Sequence, residues 1–507
     1  MRINRRPWLD AGPTSGGPWT TMLRSLAAVA LLVAGCGGGG GCGGAADPGL
    51  LLGGIQVNEP DMSAWHRELL RQGMNTVSLT VYARQQLWDS ADLIFDPDQL
   101  GDDVVREMRA ARSVGLHTVL VLRLALDQSL EGNRFLWHGM VSPRDAVELD
   151  AWFHRYSRFV LEWAVVAERE GVEALAIGSE LAALTNTVRI DRLPDLESYY
   201  LDEALRREEH SRLLASGDAR LRSALSGTES DAEGPIGGSA AAEVLSAEVA
   251  AHAAWARQVT GGADLAFVNG RREHLERNWR RLIEDVRRVY SGRLTYAANF
   301  DQVEQVAFWD ALDLIGVNAY YPLRETLAPA EPNAVAGNPL LRDDFADRWR
   351  GILMGLDQLR VRLARPQMQV LVTELGYTGR RGSTVQPWAG EGVALLPAGD
   401  GGSAAERPVV WQAQPEAPWE RAAAIEALGI AAREIAPPLL AGVLYWKLST
   451  LPRHREIEPF VVVLGDQPPD PAVAALRSLA SGRLTVADGA NEDRGAGRPA
   501  LAGGGSR

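Results

Sequence analysis

The chain predicts an α/β protein of the (β/α)8 TIM-barrel class, on three observations. Eight short apolar runs alternate with helical patterns between residue 53 and about residue 480. The runs are continuously apolar, as strands covered on both faces are. No glycine-rich phosphate fingerprint follows the first run, which disfavours the rival open, doubly wound sheet.

Taken in order, residues 53–57 read as the first strand, and Asp61 or Ser63 can cap a helix that ends near Gly73. Residues 76–82 form the second strand. The helix after it carries Val104, Met108 and Ala111 on one face and stops at Gly115. Residues 117–123 are the third strand. Trp152, Tyr156, Phe159, Trp163 and Val166 then recur at three- and four-residue steps, the clearest helical stripe in the chain. Residues 174–178, 294–298, 312–317, 369–373 and 442–446 supply strands four to eight, with helical patterns around residues 279–283 and 422–433. Two stretches exceed a minimal βα unit. One is an insertion after the fourth strand, residues 188–265, which includes Tyr199 and Tyr200. The other is a long loop after the seventh strand, residues 380–418, with Trp388, Trp411 and Trp419 in or beside it.

Composition narrows the function. The 507 residues are 46% hydrophobic, enough for one large barrel domain over residues 51–480. Lys and Arg total 52 against 65 Asp and Glu, a formal charge of −13, so no basic stripe is available for nucleic acid. The eight histidines are scattered without HExxH-type spacing, so no metal or other cofactor is expected. Tryptophan, at 15 copies, outnumbers Phe and Tyr; part of that excess suits core packing and part suits stacking on sugar rings.

The N-terminus reads as an export signal, residues 1–35, with Met22 an alternative start. Arg24 precedes the apolar run 26–33, which is too short to span a bilayer, and small residues then lead to Cys36. The Leu-Val-Ala-Gly-Cys of residues 32–36 resembles a bacterial lipobox, which implies lipidation of Cys36 and anchoring to a membrane of the cell envelope. With only Cys36 and Cys42 present, a lipidated Cys36 leaves no internal disulfide. Residues 36–50 are a glycine-rich tether, and residues 481–507, rich in Gly, Ala and Arg, form a tail of disordered composition.

In a barrel of this class, chemistry sits at the C-terminal ends of the strands. The fourth run ends in Gly-Ser-Glu, placing Glu180 there, and the seventh ends in Thr-Glu-Leu, placing Glu374. A carboxylate directly after an apolar strand is costly unless the site uses it. Two of them on strands that face each other across the mouth can flank a glycosidic bond.

Further motifs extend the pattern: Trp137, His138 and Gly139; Ala-Ile-Gly-Ser-Glu-Leu at 176–181; Leu-Thr-Tyr-Ala-Ala-Asn at 294–299; the segment 308–323, which includes Asn318 and Tyr320; and Thr-Glu-Leu-Gly-Tyr at 373–377. As an ordered set they resemble glycoside hydrolase family 113, a clan A family of β-mannanase-type barrels, over most of residues 53–480. The resemblance implies a retaining glycosidase acting on a carbohydrate substrate, with Glu180 as acid/base and Glu374 as nucleophile. Their carboxyls would lie roughly 5 Å apart. It also implies that Asn318 and Tyr320 contact substrate and nucleophile and that Trp446 floors the sugar. Tyr82, Trp137 and Asn299 complete the expected substrate-binding set. Burial and the neighbouring anion are expected to push the carboxyl of Glu180 upward so that it holds a proton. Two departures stand out. Ser179 replaces the Asn common before the acid/base in clan A, and the third strand ends Arg-Leu-Ala (123–125) where the family has Lys-Pro-His, which bears on sugar identity. The competing reading is a non-catalytic glycan-binding or envelope-assembly protein on the same scaffold.

Overall fold

The computed structural model describes residues 49–95, 97–186, 238–262, 264–325, 339–390, 393–395, 409–411 and 414–480. The signal with Cys36, nearly all of the tether, Tyr199 and Tyr200, and the tail lie outside the described residues.

All eight expected strands form, and they close into one parallel barrel: β1 (Leu51–Gln56), β2 (Thr76–Gln85), β4 (His117–Leu126), β5 (Ala174–Ser179), β6 (Arg293–Asn299), β7 (Leu314–Ala319), β8 (Gln369–Leu375) and β11 (Leu440–Ser449). β1 closes it by pairing with both β11 and β2. This closure needs glycine. A Cβ on Gly53 would fall 1.7 Å from the Thr76 carbonyl oxygen, and one on Gly54 would fall 2.5 Å from that of Tyr445. A two-residue strand, β3 (Leu93–Ile94), turns back on the end of β2.

Strand alternation sorts the residues into two shells. Leu51, Val119, Val121, Ala174, Ala176, Ala297, Leu314, Leu371, Ala441 and Leu444 fill the lumen, with alanines making room for the larger side chains. The intervening residues, such as Leu120, Leu122, Leu175 and Ile177, face outward into the larger core beneath the helices. The helices α1 (Met62–Arg71), α2 (Pro97–Ser113) and α3 (Ala146–Glu170) follow the first three barrel strands. Asp61 caps α1 by accepting from the Ala64 amide at 2.9 Å. The stripe on α3 is buried at Trp152, Tyr156, Phe159 and Trp163, with Trp152 and Tyr156 stacked at 4.6 Å.

Two findings refine the expectations. First, the fifth barrel strand is followed by no α-helix. Only 3-10 turns at Val303–Gln305 and Trp309–Ala311 separate β6 from β7. The 14 residues between those strands are too few for a full crossover helix with its turns. Phe308 and Trp309 fill the space instead, Phe308 stacking on Trp279 at 5.1 Å. Second, the insertion ends earlier than residue 265. After the one-turn helix α4 (Ala182–Thr185), the chain is described again from α5 (Gly238–Thr260), and α6 (Leu265–Arg287) follows. α5 belongs to the packed body: Trp255, 2% exposed, donates from Nε1 to the Met140 carbonyl at 2.8 Å, and His252 Nε2 contacts that of Phe135 at 2.9 Å. Arg271 on α6 reaches Ser142 Oγ at 2.7 Å. Together they brace residues 135–142, the segment that carries Trp137, His138 and Gly139.

Beyond the seventh strand, a small antiparallel pair, β9 (Val393–Leu395) and β10 (Val409–Trp411), lies within the long loop. The loop's base is pinned by buried Glu420 at the start of α8 (Pro418–Ala432). Its carboxylate accepts from the amides of Gly382 and Thr384 and from Thr384 Oγ1. α7 (Pro339–Arg362) follows β7, and a last helix is described over residues 471–480.

Two measurements follow from this packing. Trp255→Ala is expected to cost about 3–5 kcal/mol by opening a large cavity and freeing a buried carbonyl, read as a lower denaturant midpoint. Glu107 on α2 is buried and accepts from Gln56 Nε2 at 3.3 Å. Burial, with a smaller push from Glu59, raises its carboxyl from 4.5 to about 7. A group whose folded value lies above its unfolded value contributes stability below the unfolded value, and that contribution is lost as pH climbs through about 7. Glu107→Gln should therefore flatten the fall in unfolding free energy between mildly acidic and mildly alkaline pH, a fall of up to about 3 kcal/mol in the parent. An identical slope in both proteins would contradict this.

Candidate active site

The site is the top layer of the lumen. Counting two residues upward from the buried inner layer leads from Val121 to Arg123 on β4, from Ala297 to Asn299 on β6 and from Leu444 to Trp446 on β11. On β5, Ala176 leads through Gly178 to Glu180. On β8 the register slips against β7, so that Asn318 pairs with Glu374 directly after Val317 pairs with Val372. This irregularity re-aims the strand and sets Glu374 beside Asn318.

Glu374 is 3% exposed and held at both carboxylate oxygens. Tyr320 donates its hydroxyl to Oε2 at 2.7 Å, and the Arg123 guanidinium pairs with Oε1. Arg123 also lies over the Trp446 ring at 4.8 Å and bonds the Tyr82 hydroxyl, its partner in the β2–β4 register. Tyr320 is half-buried; desolvation, then the charge of Glu180, push its phenol far above the ordinary range, so it stays a hydrogen-bond donor.

Glu180 stands in the left-handed region, φ 54°. A non-glycine residue there carries roughly 1–2 kcal/mol of strain. Its amide donates to the Ala297 carbonyl at 2.9 Å, and the next amide, Leu181, donates to the Tyr296 hydroxyl at 2.7 Å. These bonds hold the turn. His138 Nε2 lies 3.4 Å from Glu180 Oε2, and the Asn318 amide also reaches the carboxylate. Asn318 donates to Ser179 Oγ at 3.2 Å and accepts from Thr373 Oγ1 at 2.7 Å. Ser179 thus uses its hydroxyl to fix the asparagine that serves Glu180.

The expected upward shift of Glu180 is not what the structure has. Burial does push its carboxyl up, but the hydrogen bond and charge of His138, the charge of Arg123 and the Asn318 amide outweigh it, leaving the carboxyl below its ordinary range. The expectation rested on burial and the second anion alone and left out these cations.

The other expected residues divide. Tyr82 joins the cluster through Arg123. Trp446 is 6% exposed and packs with Ile55, Phe460 and Tyr320 at the rim. Its peptide bond to Lys447 is cis, and the Lys447 ammonium lies 4.3 Å from its ring. Burial holds Lys447 down at about 8. Trp137 is half-buried beside Glu180: a Cβ on Gly139 would strike both the Trp137 indole and the Glu180 carbonyl. Asn299 is turned to local use, its Oδ1 accepting from the Phe300 amide at 3.0 Å. No role was read from sequence for Arg123, His138 or Lys447, although His138 stands in the 137–139 motif and Arg123 in the departure at 123–125. Arg123 follows an apolar run just as the two glutamates do, and the argument applied to those carboxylates would have found it. His138 lies in a connection, where no periodicity marks it. Among the described residues no group of His, Cys, Asp or Glu is arranged to hold a metal ion.

The family model of Glycoside Hydrolase Family 113 matches residues 57–189 and 247–394, more than half of the chain, and passes over the residues between. Among solved structures, the GH113 β-mannanase AaManA from Alicyclobacillus acidocaldarius, in complex with ManMIm, superimposes with a TM-score of 0.51 at 19% identity, covering 87% of this chain and 100% of that one. A second GH113 β-1,4-mannanase complex gives 0.47 at 16% identity, covering 85% and 99%. No curated protein matches by sequence.

Proposed function

Because the chain belongs to Glycoside Hydrolase Family 113 and is a glycoside hydrolase, we propose that it cleaves a β-linked, mannan-type poly- or oligosaccharide with retention of configuration, through Glu374 and Glu180. The observation that carries this reading is the unequal setting of the two carboxylates. Glu374 has both oxygens engaged by donors, Arg123 and Tyr320, which favours the anion and fixes its direction. Glu180 faces a histidine and an amide and sits on the opposite wall of the mouth.

In the first step Glu374 attacks the anomeric carbon while Glu180 delivers a proton to the departing oxygen. In the second, Glu180 takes a proton from water as the water oxygen displaces Glu374. Tyr320, through its hydrogen bond, and Arg123, through its ion pair, would then meet the changing charge on Glu374. The mannan-type substrate is supported by the family and by the activity named for the fold's structural neighbour. Arg-Leu-Ala at 123–125 is where this chain departs from the family's sugar-binding pattern.

Glu374→Gln is expected to abolish the glycosyl-enzyme. Glu180→Ala should spare aryl β-mannosides with activated leaving groups, and azide should restore its turnover with a β-configured azide product. On unactivated substrates each change should cost about two to four orders of magnitude in kcat/KM. Near-parent turnover of such a substrate by both variants, or an inverted first product, would overturn the assignment.

We also propose that the chain is exported and anchored through a lipidated Cys36, which the apolar run and the lipobox-like 32–36 support. One acylated cysteine bearing more than one chain suits stable anchoring. Cys36→Ser should release the protein or leave it unprocessed, and mass spectrometry should find the mature N-terminus at Cys36 carrying acyl chains; an unmodified N-terminus further along would refute this.

A further inference from the structure

A general acid must reach the chemical step with a proton, yet the unliganded site draws Glu180 toward the carboxylate. The geometry indicates where that proton rests. His138 Nε2 is buried, has no hydrogen-bond partner among the described residues, and lies 3.4 Å from Glu180 Oε2, its carboxylate neighbour. The imidazole is fixed from outside. Trp137 packs edge-on against it at 4.8 Å, Gly139 abuts the Glu180 carbonyl, and α5 and α6 hold the segment at Phe135, Met140 and Ser142. Nothing in that arrangement needs a histidine for packing alone.

The other groups facing Glu180 cannot serve. Tyr82 on β2, Tyr296 on β6 and Tyr320 just past β7 are all pushed upward, first by desolvation, and keep their protons. Arg123 on β4 is engaged with Glu374 of β8, and Lys447 on β11 lies against Trp446 near Glu458.

We propose that His138 is the proton store of this site: His138 and Glu180 share one proton, which rests on His138 Nε2 in the free enzyme and moves to Glu180 when bound sugar displaces water from the mouth. Losing water disfavours a separated charge pair, so the neutral pair, imidazole and carboxylic acid, becomes the better state. Glu180 then gives that proton to the leaving oxygen as the bond from the anomeric carbon to that oxygen breaks and the bond to Glu374 forms. In the return step the proton taken from water by Glu180 passes back to His138, so the pair ends each cycle as it began. His138 acts through Glu180 and is a positioning residue in this scheme, which rests on Glu180 being the acid/base.

The test is the pH profile of kcat/KM for His138→Gln on an unactivated oligosaccharide and on an activated aryl glycoside. In the parent the basic limb belongs to the pair. In the variant only Glu180 can hold the proton, so the limb should move at least about one unit toward acid, with a loss of roughly tenfold or more near pH 7.5 and a smaller one near pH 5. The activated substrate, which needs little protonation, should change much less. A limb that stays in place, or one uniform loss across pH and leaving groups, would reduce His138 to a structural role. If His138→Gln does not fold, nitrogen-15 NMR of the His138 ring in the parent and in Glu180→Gln decides the matter. The ring nitrogen signals should change once the anion is removed, and unchanged signals overturn the pairing. Failure here with Glu180→Ala still behaving as an acid/base variant would remove this inference alone; failure of the Glu180→Ala leaving-group test would remove the reading beneath it.

Discussion

Charge in the lumen must be matched, and the mouth of this barrel is organised around that demand. Glu374 and Arg123 are both nearly inaccessible to water. Either one alone would be prohibitive there. Together they offset each other's desolvation and hold each other's rotamer, and the remaining donors follow from them. Tyr82 meets Arg123 across the strand register, Trp446 covers the guanidinium, and Tyr320 takes the second oxygen of Glu374. A buried ion pair is weak evidence for stability but strong evidence for a fixed geometry, and a reaction that needs an oriented anion requires the second of these.

The opposite wall is built differently. Glu180 sits on a strained backbone, and its carboxylate is met by His138 and by Asn318, which Ser179 and Thr373 hold from either side. Three barrel strands therefore converge on one amide. The replacement of the more usual asparagine by Ser179 leaves this convergence intact, because a hydroxyl can accept where an amide would.

Much of this was legible in the sequence. The eight strands announce themselves because each is apolar on both faces. The glutamates do so because a charge at the end of such a run is costly to bury unless chemistry uses it. Tyr320 and Asn318 became visible through the ordered motifs. What stayed hidden depends on separation in space. Arg123 looked like the loss of a histidine because its value lies in Glu374, some 250 residues away in the chain. The sign of the shift on Glu180 turned on His138, contributed by a connection braced by α5. That helix itself was read as part of an excursion, since a stretch rich in Ala, Ser and Gly does not reveal that Trp255 is buried against the far side of the same loop. The absent fifth helix was likewise concealed, because the alternation of eight βα units implies one until the 14 residues between β6 and β7 are counted.

One feature of the fold fixes a direction. β1 opens at Leu51, in the lowest layer of the lumen, and the strands run from there toward the carboxylates. Whatever precedes residue 49 thus joins the molecule at the pole away from the mouth. Under the anchoring proposed above, the tether would therefore take hold of the barrel at the end that carries no chemistry, leaving the mouth clear of the attachment.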